Sequence, residues 1–422
     1  MRPRQMLFLQ GLPGGFFARL GAALANQGCG VRRVNFNGGD QWDWPVPGAA
    51  NYRGTIRAWP AYLARFILEH GVTDLVLFGD CRPLHRTARA TAAGLGVSVH
   101  VFEEGYLRPD WVTLEQGGVN GFSPLPADPD WWRRAAGGLP PAPEGPPLPS
   151  SLRRRMRETI SHYTALVLLG WRFPHYRTHR PWSPLVEAAG WLNRLSRRRA
   201  ALERSRSAEA TLEPGGYFLL PLQLDSDYQL RVHSDFDGMQ PALAEIMASF
   251  AAHAGRQARL VVKAHPLDNG LTDWRRQTED YARALGVADQ VIFLETADID
   301  PLVRQARGVV TVNSTTGALA LAAQVPVATL GRAVYALPGL THQGGLDQFW
   351  RDPRAPDADL FDAFRRVLAD RCLLRGGFYA EDAGGDLVQA AARRILAGVP
   401  AAAAAHRPRS GIRSAELVAD PS

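Results

Sequence analysis

Apolar positions in this chain come in two rhythms. Short unbroken apolar runs alternate with longer stretches in which apolar residues recur every three or four positions. The first pattern reads as strands buried on both faces, the second as amphipathic helices. In the first half the runs predict strands at Met6–Gln10, Val31–Phe36, Leu75–Gly79 and Val97–Phe102. Helices are expected at Gly15–Gln27, Arg57–His70 and Leu84–Gly94. A Pro/Gly-rich stretch, Ser123–Pro149, then breaks the alternation and reads as a long surface connection. Two Arg-rich helices follow, Ser151–Trp171 and Ser183–Ser207.

The alternation resumes at Gly216. Strands are expected at Tyr217–Gln223, Arg259–Ala264, Val291–Glu295, Val309–Val312 and Val327–Leu330. Helices are expected at Met239–Ala254, Trp274–Leu285, Pro301–Ala306 and Gly317–Ala323, and near the end at Asp357–Ala369 and Asp386–Leu396. Strand–helix alternation of this kind builds βαβ units and parallel sheets. The expected division is 1–210 with a basic helical insertion at about 151–207, 211–340, C-terminal helices over 341–398 that pack across the interface, and a disordered tail, 399–422.

Length and composition narrow the class. A chain of 422 residues accommodates two α/β domains, each with its own core. Cys29, Cys81 and Cys372 are odd in number and far apart. They suggest neither a disulfide framework nor a zinc site and fit a reducing compartment. No apolar stretch reaches the ~18 residues of a membrane span, and the N-terminus does not read as a signal peptide, so a cytoplasmic protein is expected. The net charge of +7 points to acidic partners. Arginine is dense at Arg153–Arg155 and Arg197–Arg199, with Trp171, Phe173, Tyr176, Trp182 and Trp191 between the clusters. Basic helices with interleaved aromatics suit an anionic membrane surface. No nucleic-acid motif is present.

Among 48 Lys and Arg residues there is one lysine, Lys263. It closes an apolar run as Lys263-Ala-His265-Pro266, where open α/β sheets bind ligands. An ammonium and an imidazole on one face of a strand end suit a phosphate. A second constellation is Glu103-Glu104-Gly105-Tyr106-Leu107-Arg108, after another strand. Adjacent carboxylates on an extended chain point to opposite sides, so one faces the cleft and the other is free for a structural bond. The exposed one serves as base or nucleophile, and Arg108 holds an anionic substrate or restrains the carboxylate. A third, Asn313-Ser314-Thr315-Thr316-Gly317, places hydroxyls and N–H groups at a helix start. Gln223, in Pro221–Gln229, is a candidate donor contact. The turn Gly11–Gly15 offers N–H groups of Gly14 and Gly15 to an anion or acceptor. Neither a dinucleotide nor a P-loop motif occurs, and no metal-ligand spacing is evident.

These pieces together resemble the capsule polysaccharide biosynthesis proteins of the KpsS/LipB type, which are retaining β-Kdo transferases. The matching elements run from Leu9-Gln10-Gly11 through Asn35–Asp40, Phe78–Arg82, Phe102–Trp111, Pro221–Gln223 and Lys263–Pro266 to Asn313–Thr315. The resemblance implies a GT-B fold, two Rossmann-like domains facing a central cleft. It implies CMP-β-Kdo as donor, no cofactor, no metal, a phosphatidylglycerol-type lipid acceptor at the inner-membrane surface, and other capsule assembly proteins as candidate partners. Glu104 then aligns with the acid of a Glu-Asp-Gly motif that acts as nucleophile in related β-Kdo transferases; whether Glu104 or Glu103 attacks here stays open. Lys263, His265, Pro266, Asn313, Ser314, Thr315 and Gln223 would hold the donor. Arg108, Gly14, Gly15 and Asp40 would face the acceptor or sugar. Two other readings are a GT-B enzyme using CMP-sialic acid or a UDP-sugar, for which Glu295 is the available strand-end acid, and a non-catalytic capsule assembly or export partner.

Overall fold

The computed structural model describes residues 3–145, 148–178, 182, 184–225, 227–380 and 384–398. The tail expected to be disordered, 399–422, lies outside them. Six strands form the first part: β1 Gln5–Phe8, β2 Gly30–Asn35, β3 Ala49–Asn51, β4 Asp74–Phe78, β5 Ser98–Glu104 and β6 Trp111–Gln116. The second part contributes β7 Tyr217–Pro221, β8 Arg259–Lys263, β9 Val291–Leu294, β10 Gly308–Thr311 and β11 Val327–Thr329, and β12 Leu373–Arg375 follows.

The strands make two sheets, ordered β12-β6-β5-β4-β1-β2-β3 and β11-β10-β7-β8-β9. Strands β1 to β5 are parallel to one another, and so are β7 to β11. Each set carries the same doubly wound order, with the third strand outermost and the first at the centre. Strand β6 runs antiparallel to β5, and β12 antiparallel to β6. The carboxyl ends of the two sheets meet at a shared seam, where Gln229 and His233 of the second domain touch Glu103 and Cys81 of the first. This is the two-domain α/β architecture the sequence predicts.

Burial explains the strands. Leu75 and Leu77 enter a core that continues into the second domain through Tyr217, Leu219 and Val261, while Val76 and Phe78 enter a separate core on the opposite face. Strand β5 alternates in the same way, Val99 and Val101 against Phe102. Helices cover both faces, so no alternation of apolar and polar residues is left in these strands. The helix Gly384–Ala397 returns to pack on the helix Phe16–Ala25 of the first domain.

Three expectations need correction. The stretch Ser123–Pro149 is not only a surface connection: it contains the helix Pro129–Ala136. Trp132 on that helix is fully buried, packs at a tilt against Phe364 with ring centroids 4.9 Å apart, and donates its indole N–H to Pro126 O at 2.8 Å. The expected helix Ser183–Ser207 is two helices, Pro184–Ser196 and Arg198–Glu209. Strand β5 extends through Glu104, so the glutamate pair belongs to the strand and not to a turn after it.

Trp132→Ala should destabilise the protein by about 3–5 kcal/mol, because the indole volume cannot be refilled from the surrounding helices. A urea titration followed by circular dichroism measures the loss.

Candidate functional site

The seam brings together the turns that leave the central strands. Gly79 ends β4 with φ +66, a left-handed backbone that glycine adopts without strain. A Cβ there would stand 3.3 Å from the Glu103 carboxylate, so the turn and the glutamate are in contact. Arg82, just beyond, donates to Gln10 Oε1 at 3.0 Å, which joins the ends of β4 and β1 at the switch point of the first sheet.

The two glutamates take opposite sides of β5, and their surroundings differ. Glu103 is tied at both oxygens. Oε1 accepts from the Glu104 backbone N–H at 3.0 Å, and Oε2 accepts from Gln229 Nε2 of the other domain at 3.1 Å. Burial, aided by the charges of Asp227 and Glu104, pushes Glu103 up to about 8. It is therefore largely protonated at neutral pH. Glu104 is partly open, with its carboxylate 3.8 Å from the Arg108 guanidinium. The charge of Arg108 also reaches His265, where it disfavours the imidazolium. Arg108 thus stands between the glutamate of one domain and the histidine of the other.

On the second domain, Lys263 closes β8 and is 6% exposed. Its ammonium donates to Ala264 O at 3.2 Å and makes no ion pair among the described residues. Burial and the charge of Arg194 lower its pKa, with Asp298 opposing. A buried ammonium without a carboxylate is costly unless an anion completes it. His265 accepts the Leu267 backbone N–H on Nδ1 at 3.0 Å, so its proton lies on Nε2. Burial, then Lys263, then Arg108 bring His265 down to about 4. It is a neutral hydrogen-bond donor, not a cation. Pro266 is exposed beside it.

Gln223 and Asn313 lie at the switch point of the second sheet, after β7 and β10. They bond reciprocally: Gln223 Nε2 donates to Asn313 Oδ1 at 2.7 Å, and the Asn313 N–H donates to Gln223 Oε1 at 2.9 Å. Ser314 caps the helix Thr315–Ala322, accepting from the Thr316 N–H at 3.2 Å. Thr315 opens that helix. The arrangement provides a strand-end ammonium, a neutral imidazole and a capped helix start within one domain.

Some expected contacts are structural. Asp40 is 1% exposed, accepts from the Phe36 N–H at 3.0 Å and lies 3.7 Å from the buried Arg33 guanidinium. It closes a turn and does not face an acceptor. At Gly14 the Glu158 carboxylate occupies the space a side chain would take, so the turn packs closely on the helix Leu152–Leu168. Gly15 is the N-cap of the helix that follows, without a side-chain cap. Glu295 is held by Arg204 at 2.7 Å and is not free for a ribose. No sequence signal singles out Arg194, which acts on Lys263 only through the fold. Asp227, in the segment Pro221–Gln229 whose acids read as ligand contacts or turn caps, caps the Gln229 N–H at 2.9 Å, and its charge raises Glu103.

The family model for capsule polysaccharide biosynthesis proteins matches residues 73–379. The chain is 34% identical over 383 residues to the capsule polysaccharide export protein KpsS of Escherichia coli, covering 89% of this chain and 97% of that one. It is 33% identical over 390 residues to the capsule polysaccharide modification protein LipB of Neisseria meningitidis serogroup B, covering 89% and 92%. Among solved structures, the β-Kdo 2,7 transferase of Thermosulfurimonas dismutans KpsC aligns with a TM-score of 0.42 at 14% identity, over 86% of this chain and 90% of that one. Staphylococcus aureus MnaA aligns with a TM-score of 0.34 at 10% identity, over 93% and 95%.

Three buried histidines, His85, His233 and His265, resist protonation down to about 3, 3 and 4, each chiefly through burial. Unfolded imidazoles take up protons near pH 6.5. At these three sites the unfolded chain binds the extra protons below about pH 6.5, a loss of stability that Glu103 and Glu115 oppose, because their raised values make the folded chain bind protons first as pH falls toward 4.5. The histidine contribution is isolated by comparing urea midpoints of the wild type and His85→Gln, whose difference should shrink as pH falls from about 6.5 to about 4.

Proposed function

The chain belongs to the capsule polysaccharide biosynthesis protein family, and on that premise we propose that it is a retaining β-Kdo transferase. It would move Kdo from CMP-β-Kdo to a phosphatidylglycerol-type lipid and so start the linker of a capsular polysaccharide. The observation that carries this reading is the pairing, across one seam, of the partly open Glu104 beside Arg108 with the buried, unpaired ammonium of Lys263. One wall offers a nucleophile and the other an anion site.

The roles follow from the chemistry. Lys263, the Nε2–H of His265 and the N-terminus of the helix Thr315–Ala322 receive the CMP phosphate and stabilise the charge it gains on leaving. Arg108 meets the Kdo carboxylate beside Glu104. The Glu104 carboxylate attacks the anomeric carbon, and the bond to phosphate breaks with its electron pair going to CMP. The acceptor hydroxyl then attacks the same carbon, Glu104 leaves with its pair, and the hydroxyl proton passes to solvent. Two inversions give net retention. Glu103 is the poorer nucleophile because it is protonated near neutrality and bonded at both oxygens. This favours Glu104 as the attacking group.

A lipid acceptor requires reach to a bilayer. No helix among the described residues is long and apolar enough to cross a membrane. The helix Leu152–Leu168 and the turn after it nevertheless expose Leu152, Met156, Ile160, Val167, Leu168 and Trp171. At about 100° per residue these fall within roughly half the circumference of the helix. By the same count Arg153 and Arg157 fall within that arc, and Arg155 lies on the other side. An apolar stripe with arginines suits the headgroup region of an anionic membrane.

Transfer is tested by mixing the protein with CMP-Kdo, generated in situ, and a fluorescent phosphatidylglycerol analogue, with mass spectrometry of the product. A lipid gaining one Kdo is expected. Glu104→Gln should abolish transfer with the fold intact, and full activity of that variant removes Glu104 from the mechanism. Lys263→Arg should raise the donor KM at least about tenfold, a loss of about 1.4 kcal/mol. Turnover with CMP-sialic acid or a UDP-sugar in place of CMP-Kdo overturns the donor assignment.

In flotation with phosphatidylglycerol vesicles, Ile160→Asp combined with Trp171→Asp should lower binding at least tenfold, since each apolar side chain buried is worth about 1.5–3 kcal/mol.

A further inference from the structure

Away from Lys263, the seam holds three side chains that bind metals elsewhere. Asp80 and Cys81 lie in the turn after β4, and His233 follows the helix Tyr228–Val232 of the second domain. One donor atom from each lies within 4.8 Å of the other two. Cys81 Sγ is 3.1 Å from His233 Nε2 and 3.3 Å from Asp80 Oδ1. Donors around tetrahedral zinc stand about 3.5 Å apart, given Zn–S near 2.3 Å and Zn–N near 2.0 Å. The sulfur–nitrogen and sulfur–oxygen separations need to open by only a few tenths of an ångström to admit an ion.

The surroundings point the same way. Asp80 is 0%, Cys81 3% and His233 1% exposed. Asp80 makes no salt bridge among the described residues; its partners are the Val119 N–H at 3.0 Å and the Cys81 thiol. The charge of Arg89 reaches Asp80 without forming an ion pair, and a buried carboxylate held only so is costly. A thiolate and a carboxylate together neutralise a dication, which removes that cost. The backbone closes over the cluster at two bare positions. A Cβ at Gly118 would come within 3.0 Å of Asp80 Oδ2, and one at Gly121 within 2.7 Å of His233 Nδ1.

We propose that Asp80, Cys81 and His233 bind one dication of the zinc class across the domain seam. Thiolate and imidazole select zinc or cobalt over magnesium or calcium. Binding releases the Cys81 proton to solvent and leaves one coordination position for water. The Val119 N–H holds the second oxygen of Asp80 and orients it toward the ion. The ion pins His233, and with it the short helix that carries Gln229 against Glu103. The site is separate from the donor groups, and its test reads metal and not transfer, so it stands or falls independently of the transferase reading.

The full chain is purified without chelator from zinc-supplemented medium, and its metal is measured by inductively coupled plasma mass spectrometry. Equimolar zinc is expected, with loss of the metal in Cys81→Ser and in His233→Ala. A substitution in a packed seam can also unfold the chain, so the wild-type protein supplies a second reading. Loaded with Co²⁺, it should show a thiolate-to-cobalt charge-transfer band in the near ultraviolet that EDTA removes. Zinc-loaded wild-type protein holding no more metal than folded Cys81→Ser overturns the proposal, as does a cobalt spectrum without the thiolate band.

Discussion

The structure turns on one side chain at the seam, that of Gln229. Its Nε2 donates to Glu103 at 3.1 Å, and its Oε1 accepts from Asn120 Nδ2 at 2.9 Å. Its backbone oxygen accepts from Asn313 Nδ2 at 2.8 Å, and its N–H is capped by Asp227. Two partners belong to the first domain and two to the second. Polar groups removed from water must find partners, and leaving one unmade costs about 1–3 kcal/mol. The seam therefore has one low-energy alignment, and every distance between the glutamate pair and the donor groups follows from it. The pair Gln223–Asn313 extends the same network to the switch point of the second sheet.

Much of the fold was legible because doubly buried strands leave an unmistakable apolar run. The strands missed were those without one. Strand β3 is three residues long at the sheet edge, and β12 is equally short. Strand β6 mixes Trp111 and Val112 with Thr113, Glu115 and Gln116, and its polar members are paid for by tertiary bonds. Glu115, for example, is buried against the hydroxyls of Tyr106 and Ser123, and burial pushes it up to about 7. Such a residue reads as surface in the sequence and as core in space.

The site was legible as motifs but not as geometry. Two adjacent glutamates announce opposite faces; only the fold says which face meets Gln229, 126 residues away. Cys81 and His233 are 152 residues apart, so no ligand spacing exists to be read. The reverse error also has a physical cause. Asp40 and Gly14 sit in polar, glycine-rich turns of the kind that bind ligands, yet the polar capacity of Asp40 is used within the chain by Arg33 and Phe36, and Glu158 fills the space beside Gly14.

The polypeptide passes between the domains twice. It has already left the first by the helix Arg198–Glu209, which lies against β9 with Ser205 accepting from the Glu295 N–H, and it returns between Trp350 and the helix Ala358–Arg371, which packs on the helix Pro129–Ala136. The return is anchored: β12 joins the first sheet, and Arg4 near the start of the chain donates to Ile395 O at 2.8 Å near its end. A body held by a single strap swivels freely. One held by two straps opens only about the line that joins them. The halves are thus confined to a book-like opening, in which the two walls separate and meet again in the same register, without twisting past each other.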